Sequence, residues 1–237
     1  MVLFDLRAQL GPLREAALDA LALLLPVDCA GCGAADRAVC ADCRAALRPE
    51  PSGRRLPDGT PVFSGLDYAG VVREVILAFK EQERPELARV LAPALAAAVV
   101  QAGAAVDLRG AELVAVPGTR RARRRRGFDP VLALISRAGL QRVRVFAPAR
   151  PHVAQKTLSV EQRARNLEDA FEVTAAVAGR RFLLVDDVVT SGATLAAAAA
   201  ALRSEGGEVV AAAVVASTPK LFGPAVMTPR ERPAGFP

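Results

Sequence analysis

The chain has few aromatic residues and few side chains that titrate or oxidise readily near neutral pH. Its 237 residues include no tryptophan, one tyrosine, one histidine, two methionines and four cysteines. Aromatic residues make up 4% of the sequence, whereas hydrophobic residues make up 52%. A core must therefore be built mainly from alanine, valine and leucine, and this hydrophobic content excludes a disordered main body.

The sequence motifs of two common hydrolase classes are missing. A Ser-His-Asp hydrolase would have to use His152, yet no Gly-x-Ser-x-Gly turn for its nucleophile occurs. The Gly-x-x-x-x-Gly-Lys-Ser/Thr sequence of P-loop nucleotide hydrolases is also absent. Both classes are therefore disfavoured, and we predict that His152 is a surface residue.

The first 25 residues have apolar side chains at helical spacing, from Leu3 to Leu21. Their longest apolar run, Ala20 to Leu25, is too short to span a membrane. The residues before Cys29 form a poor cleavage site for a secretory signal. We therefore predict a docking helix at 1–25, no integral membrane segment and a cytoplasmic location.

The four cysteines form two Cys-x-x-Cys pairs that seven residues separate: Cys29, Cys32, Cys40 and Cys43. Each pair can place two thiolates on one tetrahedral ion. Two disulfides would need an oxidising compartment, and a redox pair would not need four cysteines. We predict a structural zinc site in a module at 26–48, followed by a proline- and glycine-rich linker at 49–60.

Basic residues outnumber acidic residues by 31 to 25, which gives a net charge of +6. Six arginines lie within the seven residues from Arg120 to Arg126. Such a run cannot be buried without partners, so we predict an exposed, positively charged loop. This charge indicates an anionic partner, either a nucleic acid or a polyphosphate substrate.

The stretch from Arg181 to Thr194 combines several features of a ligand site. The apolar run Phe182 to Val185 predicts a strand that is buried on both faces, and the alanine-rich run up to Leu202 predicts a helix. The loop between them can bind a phosphate, because backbone N–H groups at a helix N-terminus attract anions. The predicted phosphate-binding residues are Thr190, Ser191, Gly192, Ala193 and Thr194.

Two adjacent carboxylates, Asp186 and Asp187, stand between that strand and that loop. Like charges repel, so these side chains suit hydroxyl groups or a metal rather than a second phosphate. A ribose 5-phosphate has a phosphate and a vicinal diol at the required separation. We therefore predict a sugar phosphate ligand for this stretch.

Strands alternate with helices along the rest of the chain, which predicts an α/β fold with a doubly wound parallel sheet at 61–218. Further strands are predicted at Leu113–Val116, Val143–Phe146 and Val209–Ala216, with a strand or hairpin arm at Pro61–Tyr68. Ligands of such sheets bind outside the carboxyl ends of the strands. The proline-rich end at 219–237 predicts a disordered tail.

The stretch Arg181–Thr194 resembles the phosphoribosyl-pyrophosphate motif of type I phosphoribosyltransferases, in which apolar residues precede two acids and a threonine-rich loop. Together with the four cysteines, Val-Pro at 116–117, Arg-Gly-Phe at 126–128 and the segment around Gln155, it resembles the ComF family. The resemblance implies a type I phosphoribosyltransferase fold with a small N-terminal zinc module.

The resemblance also assigns roles to individual residues. Asp186 and Asp187 would be catalytic and bind the ribose hydroxyls, the 190–194 loop would bind the 5-phosphate, and Mg²⁺ would accompany the pyrophosphate. Candidates for pyrophosphate binding, or for a hood that covers the site, are Lys80, Arg126, Gln155, Lys156, Arg163 and Asn166.

Two functions remain open from the sequence. The first is a phosphoribosyltransferase that binds phosphoribosyl pyrophosphate and transfers the sugar to an unknown acceptor. The second is a non-catalytic single-stranded DNA-binding or protein-docking factor in DNA uptake and natural transformation, as the ComF resemblance implies. The arginine run fits either function, because Arg126 could bind pyrophosphate while its neighbours follow a nucleic-acid backbone.

Overall fold

A computed structural model of the chain describes residues 27–35, 37–118, 125–147 and 171–218. The predicted docking helix at 1–25 and the predicted tail at 219–237 lie outside these residues. The same holds for His152 and for residues 120–124 of the arginine run.

Five strands and five α-helices alternate over much of the described chain. The strands are β1 (Ser52–Arg55), β2 (Pro61–Asp67), β3 (Ala111–Ala115), β4 (Arg181–Val189) and β5 (Glu208–Ser217). The helices are α1 (Ala41–Ala46), α2 (Gly70–Glu81), α3 (Ala88–Ala105), α4 (Pro130–Arg137) and α5 (Ala193–Ser204), and a 3-10 turn at Pro85–Leu87 precedes α3.

The strands form one sheet in the order β1-β2-β5-β4-β3. Only the β1–β2 pair is antiparallel, whereas β2–β5, β5–β4 and β4–β3 are parallel. This mostly parallel sheet confirms the predicted α/β fold. Parallel strands run in the same direction, so their carboxyl ends lie at the same end of the sheet.

The core lies on both faces of the sheet, because β4 sends alternate side chains to opposite sides. Leu183 and Val185 pack with the cluster that includes α2, α3 and α4. Phe182 and Leu184 pack with the cluster that includes α5. All four of these side chains are buried, which confirms the prediction of a strand covered on both faces.

Helix α3 is packed closely against the centre of the sheet. A Cβ atom at Gly65 of β2 would lie 2.1 Å from the Ala94 carbonyl oxygen, so glycine permits this approach. Within the described residues, the stretch Pro85–Ala105 alone is long and apolar enough to span a membrane. Its Ala94, Leu95 and Ala98 side chains are fully buried in the domain, so α3 serves here as a core helix.

Two secondary-structure predictions need correction. Residues 52–55 of the predicted linker form β1, which pairs with β2 at the sheet edge. The predicted strand at Val143–Phe146 is reduced to isolated bridges, from Val143 to Val114 and from Phe146 to Val173. Helix α4 begins at Pro130, and the side chain of its N-cap Asp129 accepts a hydrogen bond from the Leu132 N–H.

The cysteine segment packs directly on the main domain. Cys43 and Leu47 belong to the same buried cluster as Val72 of α2. Arg84 Nη1 donates to the Asp28 carbonyl oxygen at 3.0 Å, which ties the segment to the chain just after α2. The division into a module at 26–48 and a domain at 61–218 stays a prediction, but the two are in contact.

Candidate functional site

The two adjacent carboxylates lie near the carboxyl end of β4, where the sequence placed them. The strand extends past them to Val189, so Asp186 and Asp187 are strand residues rather than its end. Asp187 is 8% exposed and contacts Lys80 near the end of α2. The Lys80 Nζ atom lies 3.1 Å from Asp187 Oδ1 and 3.0 Å from Oδ2.

Asp186 is half-buried, and its pKa is raised well above that of an exposed aspartate. Burial raises its pKa to about 8, and the negative charge of Asp187 adds to that effect. The backbone N–H of Asp187, which donates to Asp186 Oδ1 at 2.8 Å, and the charge of Lys80 oppose it. Asp186 therefore holds a proton much of the time at pH 7, so the pair can both donate and accept hydrogen bonds with hydroxyl groups.

The loop at 190–194 joins β4 to α5 through a left-handed glycine. Gly192 has φ 85° and ψ 3° and is the N-cap of α5. A Cβ atom there would lie 2.3 Å from Leu56 Cδ2, so a side chain has no room. Thr190 and Ser191 are exposed, and the Ala193 N–H donates to Ser191 Oγ at 3.3 Å. The N-terminus of α5 in this loop attracts anions.

The structure adds a residue to this loop that the sequence analysis missed. Arg54 of β1 donates from Nη2 to the Thr190 carbonyl oxygen at 2.8 Å. The residue fell within the predicted linker, and no local pattern marks it. Only the pairing of β1 with β2 brings it to the loop.

Arg126, a predicted pyrophosphate residue like Lys80, contacts Glu81 at the carboxyl end of α2. Arg126 Nη2 lies 2.7 Å from Glu81 Oε1, and Arg125 contacts the other oxygen of Glu81. These arginines lower the pKa of Glu81. The Phe79 and Phe128 rings, with centroids 5.3 Å apart, join α2 to the chain before α4. Lys80 and Arg126 are each paired with a carboxylate, Lys80 with Asp187 and Arg126 with Glu81.

The other predicted hood residues lie outside the described residues: Gln155, Lys156, Arg163 and Asn166. Their positions relative to the carboxylates stay a prediction.

A cavity of about 250 Å³ lies beside the carboxyl end of β3. Val116, Pro117 and Gly118 form one wall, and Asp129 and Phe146 lie among its other lining residues. The Val116 N–H donates to the Val185 carbonyl oxygen at 2.9 Å, which sets this wall next to Asp186. Neither Asp186 nor Asp187 lines the cavity, so it is a neighbour of the acidic pair rather than part of the same site.

The four cysteines form a second candidate site, away from the acidic pair in sequence. Their sulfur atoms all lie within 4.8 Å of one another. Zn–S bonds of about 2.3 Å put tetrahedral sulfurs about 3.8 Å apart, and Cys32 Sγ and Cys40 Sγ are 3.7 Å apart. The cluster therefore fits a metal such as zinc.

Backbone hydrogen bonds and burial shift the pKa values of these thiols in opposite directions. Burial alone would raise the pKa of the Cys29 thiol, but backbone N–H groups, first that of Cys40, lower it to about 6. Burial raises the pKa of Cys43, whose thiol is drawn into the core. A Cβ atom at Gly31 would lie 2.7 Å from Cys43 Sγ, so this turn requires glycine.

Comparison with known families matches residues 131–229 to the model of the phosphoribosyl transferase domain. The match extends from α4 through β4, the 190–194 loop and α5 to β5, and includes Asp186 and Asp187. The chain thus contains a phosphoribosyl transferase-type domain, which supports a phosphoribosyltransferase-like function. Lys80, Arg126 and the cysteine cluster lie outside the match, and a search of curated proteins finds no match to the chain.

Proposed function

We propose that the protein binds phosphoribosyl pyrophosphate with Mg²⁺ and acts as a phosphoribosyltransferase. The proposal rests on the position of several side chains at the same end of the sheet. Asp186, Asp187 and the Gly192 loop stand at the carboxyl end of β4, within a matched phosphoribosyl transferase domain, and Lys80 reaches the same point.

Each part of this edge suits one part of the ligand. The 190–194 loop would hold the 5-phosphate with N–H groups and hydroxyls, and the acidic pair would bind the ribose hydroxyls. Mg²⁺ held by the pyrophosphate and neighbouring carboxylate oxygens would neutralise part of the leaving group's charge. Lys80 and Arg126 would exchange their carboxylate partners for pyrophosphate oxygens.

The residues then favour departure of the pyrophosphate. As the bond from the anomeric carbon to pyrophosphate breaks, positive charge develops on the sugar and negative charge on the leaving group. Asp187 lies on the sugar side and stabilises the positive charge, whereas the cations stabilise the leaving group. The acceptor would approach the anomeric carbon from the neighbouring cavity and form the new bond.

Calorimetry with phosphoribosyl pyrophosphate, with and without Mg²⁺, tests this function. Asp186→Ala combined with Asp187→Ala should weaken binding about a hundredfold or more, because hydrogen bonds to charged groups contribute about 1.5–3 kcal/mol each. The control is Glu205→Ala with Glu208→Ala, which removes two carboxylates at the opposite edge of the sheet and should leave affinity unchanged.

Equal binding by the acidic-pair variant and the wild type would contradict the site assignment. The alternative, a ComF-like factor that binds single-stranded DNA or docks a protein without catalysis, rests on the arginine run. Wild-type protein that binds single-stranded DNA at low salt but not phosphoribosyl pyrophosphate would favour that alternative.

A further inference from the structure

The guanidinium group of Arg54 lies beside the 190–194 loop with part of its hydrogen-bonding capacity unused. Its Nη2 atom donates to the Thr190 carbonyl oxygen at 2.8 Å. The Nε and Nη1 atoms are buried, and no described residue accepts a hydrogen bond from either. Burial also lowers the pKa of Arg54, because the buried guanidinium group has lost contacts with water.

Neighbouring arginines do not share this condition. Arg55, the next residue of β1, is exposed and donates from Nη1 to the Gly59 carbonyl oxygen at 2.8 Å. Arg203 on α5 contacts Asp58 at 2.7 Å, the Thr60 hydroxyl at 2.8 Å and the Val209 carbonyl oxygen. Arg55 and Arg203 therefore have hydrogen-bond acceptors among the described residues. Nε and Nη1 of Arg54 have none.

Buried donors without acceptors cost free energy, and the cost is larger when the group is charged. An anion bound at the loop would remove that cost by supplying acceptors. A phosphate group fits, because its oxygens accept charge-assisted hydrogen bonds from guanidinium groups. The N-terminus of α5 independently favours negative charge at the same loop.

We propose that Arg54 is a phosphate-binding residue of the 190–194 loop. Its Nη2 atom holds the Thr190 carbonyl oxygen and so fixes the loop. When a phosphomonoester binds, the guanidinium group turns so that its unpaired N–H groups donate to the phosphate oxygens. The proposal deepens the proposed function, on which it rests, by adding to the 5-phosphate site a cation from β1.

The test measures binding of ribose 5-phosphate and of inorganic pyrophosphate by calorimetry on the full chain. Arg54→Met keeps the side-chain length but removes the charge and donors, and should weaken ribose 5-phosphate binding about tenfold or more. Arg54→Lys should retain an intermediate affinity. Arg55→Met is the matched control on the same strand and should bind ribose 5-phosphate within about twofold of wild type.

A second measurement separates binding of phosphate from mere support of the fold. Arg54→Met removes two unpaired buried donors but also the hydrogen bond to the Thr190 carbonyl oxygen. These effects oppose each other, so its thermal unfolding midpoint without ligand should stay close to that of the wild type. Pyrophosphate affinity should also stay unchanged. A variant that loses stability and binds both ligands poorly would show a structural role and overturn the proposal.

The outcomes also separate this proposal from the proposed function. If wild type binds phosphoribosyl pyrophosphate and Arg54→Met binds ribose 5-phosphate equally well, only the role of Arg54 is overturned. If ribose 5-phosphate binds in an Arg54-dependent way but phosphoribosyl pyrophosphate does not bind, only the proposed function fails. Wild type without affinity for ribose 5-phosphate overturns the phosphate site itself.

Discussion

The cysteine cluster and the edge that carries the acidic pair are assembled over very different distances along the chain. All four cysteines lie between Cys29 and Cys43, and their sulfurs come within 4.8 Å of one another. At the edge, Lys80 meets Asp187 across 107 positions, and Arg54 meets Thr190 across 136 positions.

This difference in separation along the chain indicates which interactions hold each site together. In the cysteine cluster, a bound metal would hold the short segments between Cys29 and Cys43 together, because the binding free energy of a structural zinc is also folding free energy. At the edge, the order of strands and the packing of both sheet faces bring distant side chains together. We therefore expect the cluster to respond to loss of its metal, and the edge to respond to loss of backbone geometry or to a change in burial.

The largest effect is expected from removing a thiolate ligand. Metal-binding free energies of roughly 10 kcal/mol support small zinc sites, so Cys29→Ser should release the metal and loosen residues 27–47. Elemental analysis of reduced, freshly purified protein should find about one zinc per chain in the wild type and almost none in the variant. Ala30→Ser changes the same turn without removing a ligand and should keep the metal. Wild-type protein without zinc would show that the cluster does not hold this ion.

A smaller effect is expected from filling the turn before α5. Gly192→Ala must adopt φ 85° and also overlap Leu56, which should cost about 2–4 kcal/mol. Gly59, at φ 84°, has nothing within 4 Å of a built Cβ atom. Gly59→Ala isolates the backbone cost and should lose only about 1 kcal/mol. Chemical denaturation measures both variants, and equal losses would show that contact between Leu56 and the loop does not restrict this position.

The last effect is a pH dependence that arises from Asp186. Its pKa of about 8 in the folded protein lies above the ordinary value of about 4. The folded state therefore binds this proton more tightly than the unfolded state, and the resulting stabilisation is lost as pH rises from about 4 to about 8. Asp186→Asn lacks this loss and should be more stable than wild type at pH of about 9, by roughly 1 kcal/mol or more.

Urea denaturation across this pH window measures the difference, which should shrink towards the acid end. Asp67→Asn, which alters an exposed carboxylate at the end of β2, is the control for loss of a charge. Parallel pH profiles of wild type and Asp186→Asn would contradict the raised pKa.

The sequence predicted the elements that have a strong local pattern. Apolar runs predicted β4 and β5, and both strands are mostly buried in the structure. The short strand β1 has the sequence Ser-Gly-Arg-Arg, which lacks apolar alternation, so prolines and glycines around it predicted a linker. At Val143–Phe146 the apolar pattern is present, but only isolated bridges form, because local hydrophobicity does not supply a partner strand.

The sequence by itself determined the chemistry of each site: four thiols at metal-binding spacing, and a buried strand with two acids followed by a glycine loop and a helix. These features need contacts only between near neighbours in the chain. The tertiary structure alone decided that Lys80 pairs with Asp187, that Glu81 pairs with Arg126 and that Arg54 reaches the 190–194 loop. Those contacts depend on the strand order β1-β2-β5-β4 and on the packing of α2 against the sheet, which many distant residues fix together and no local pattern encodes.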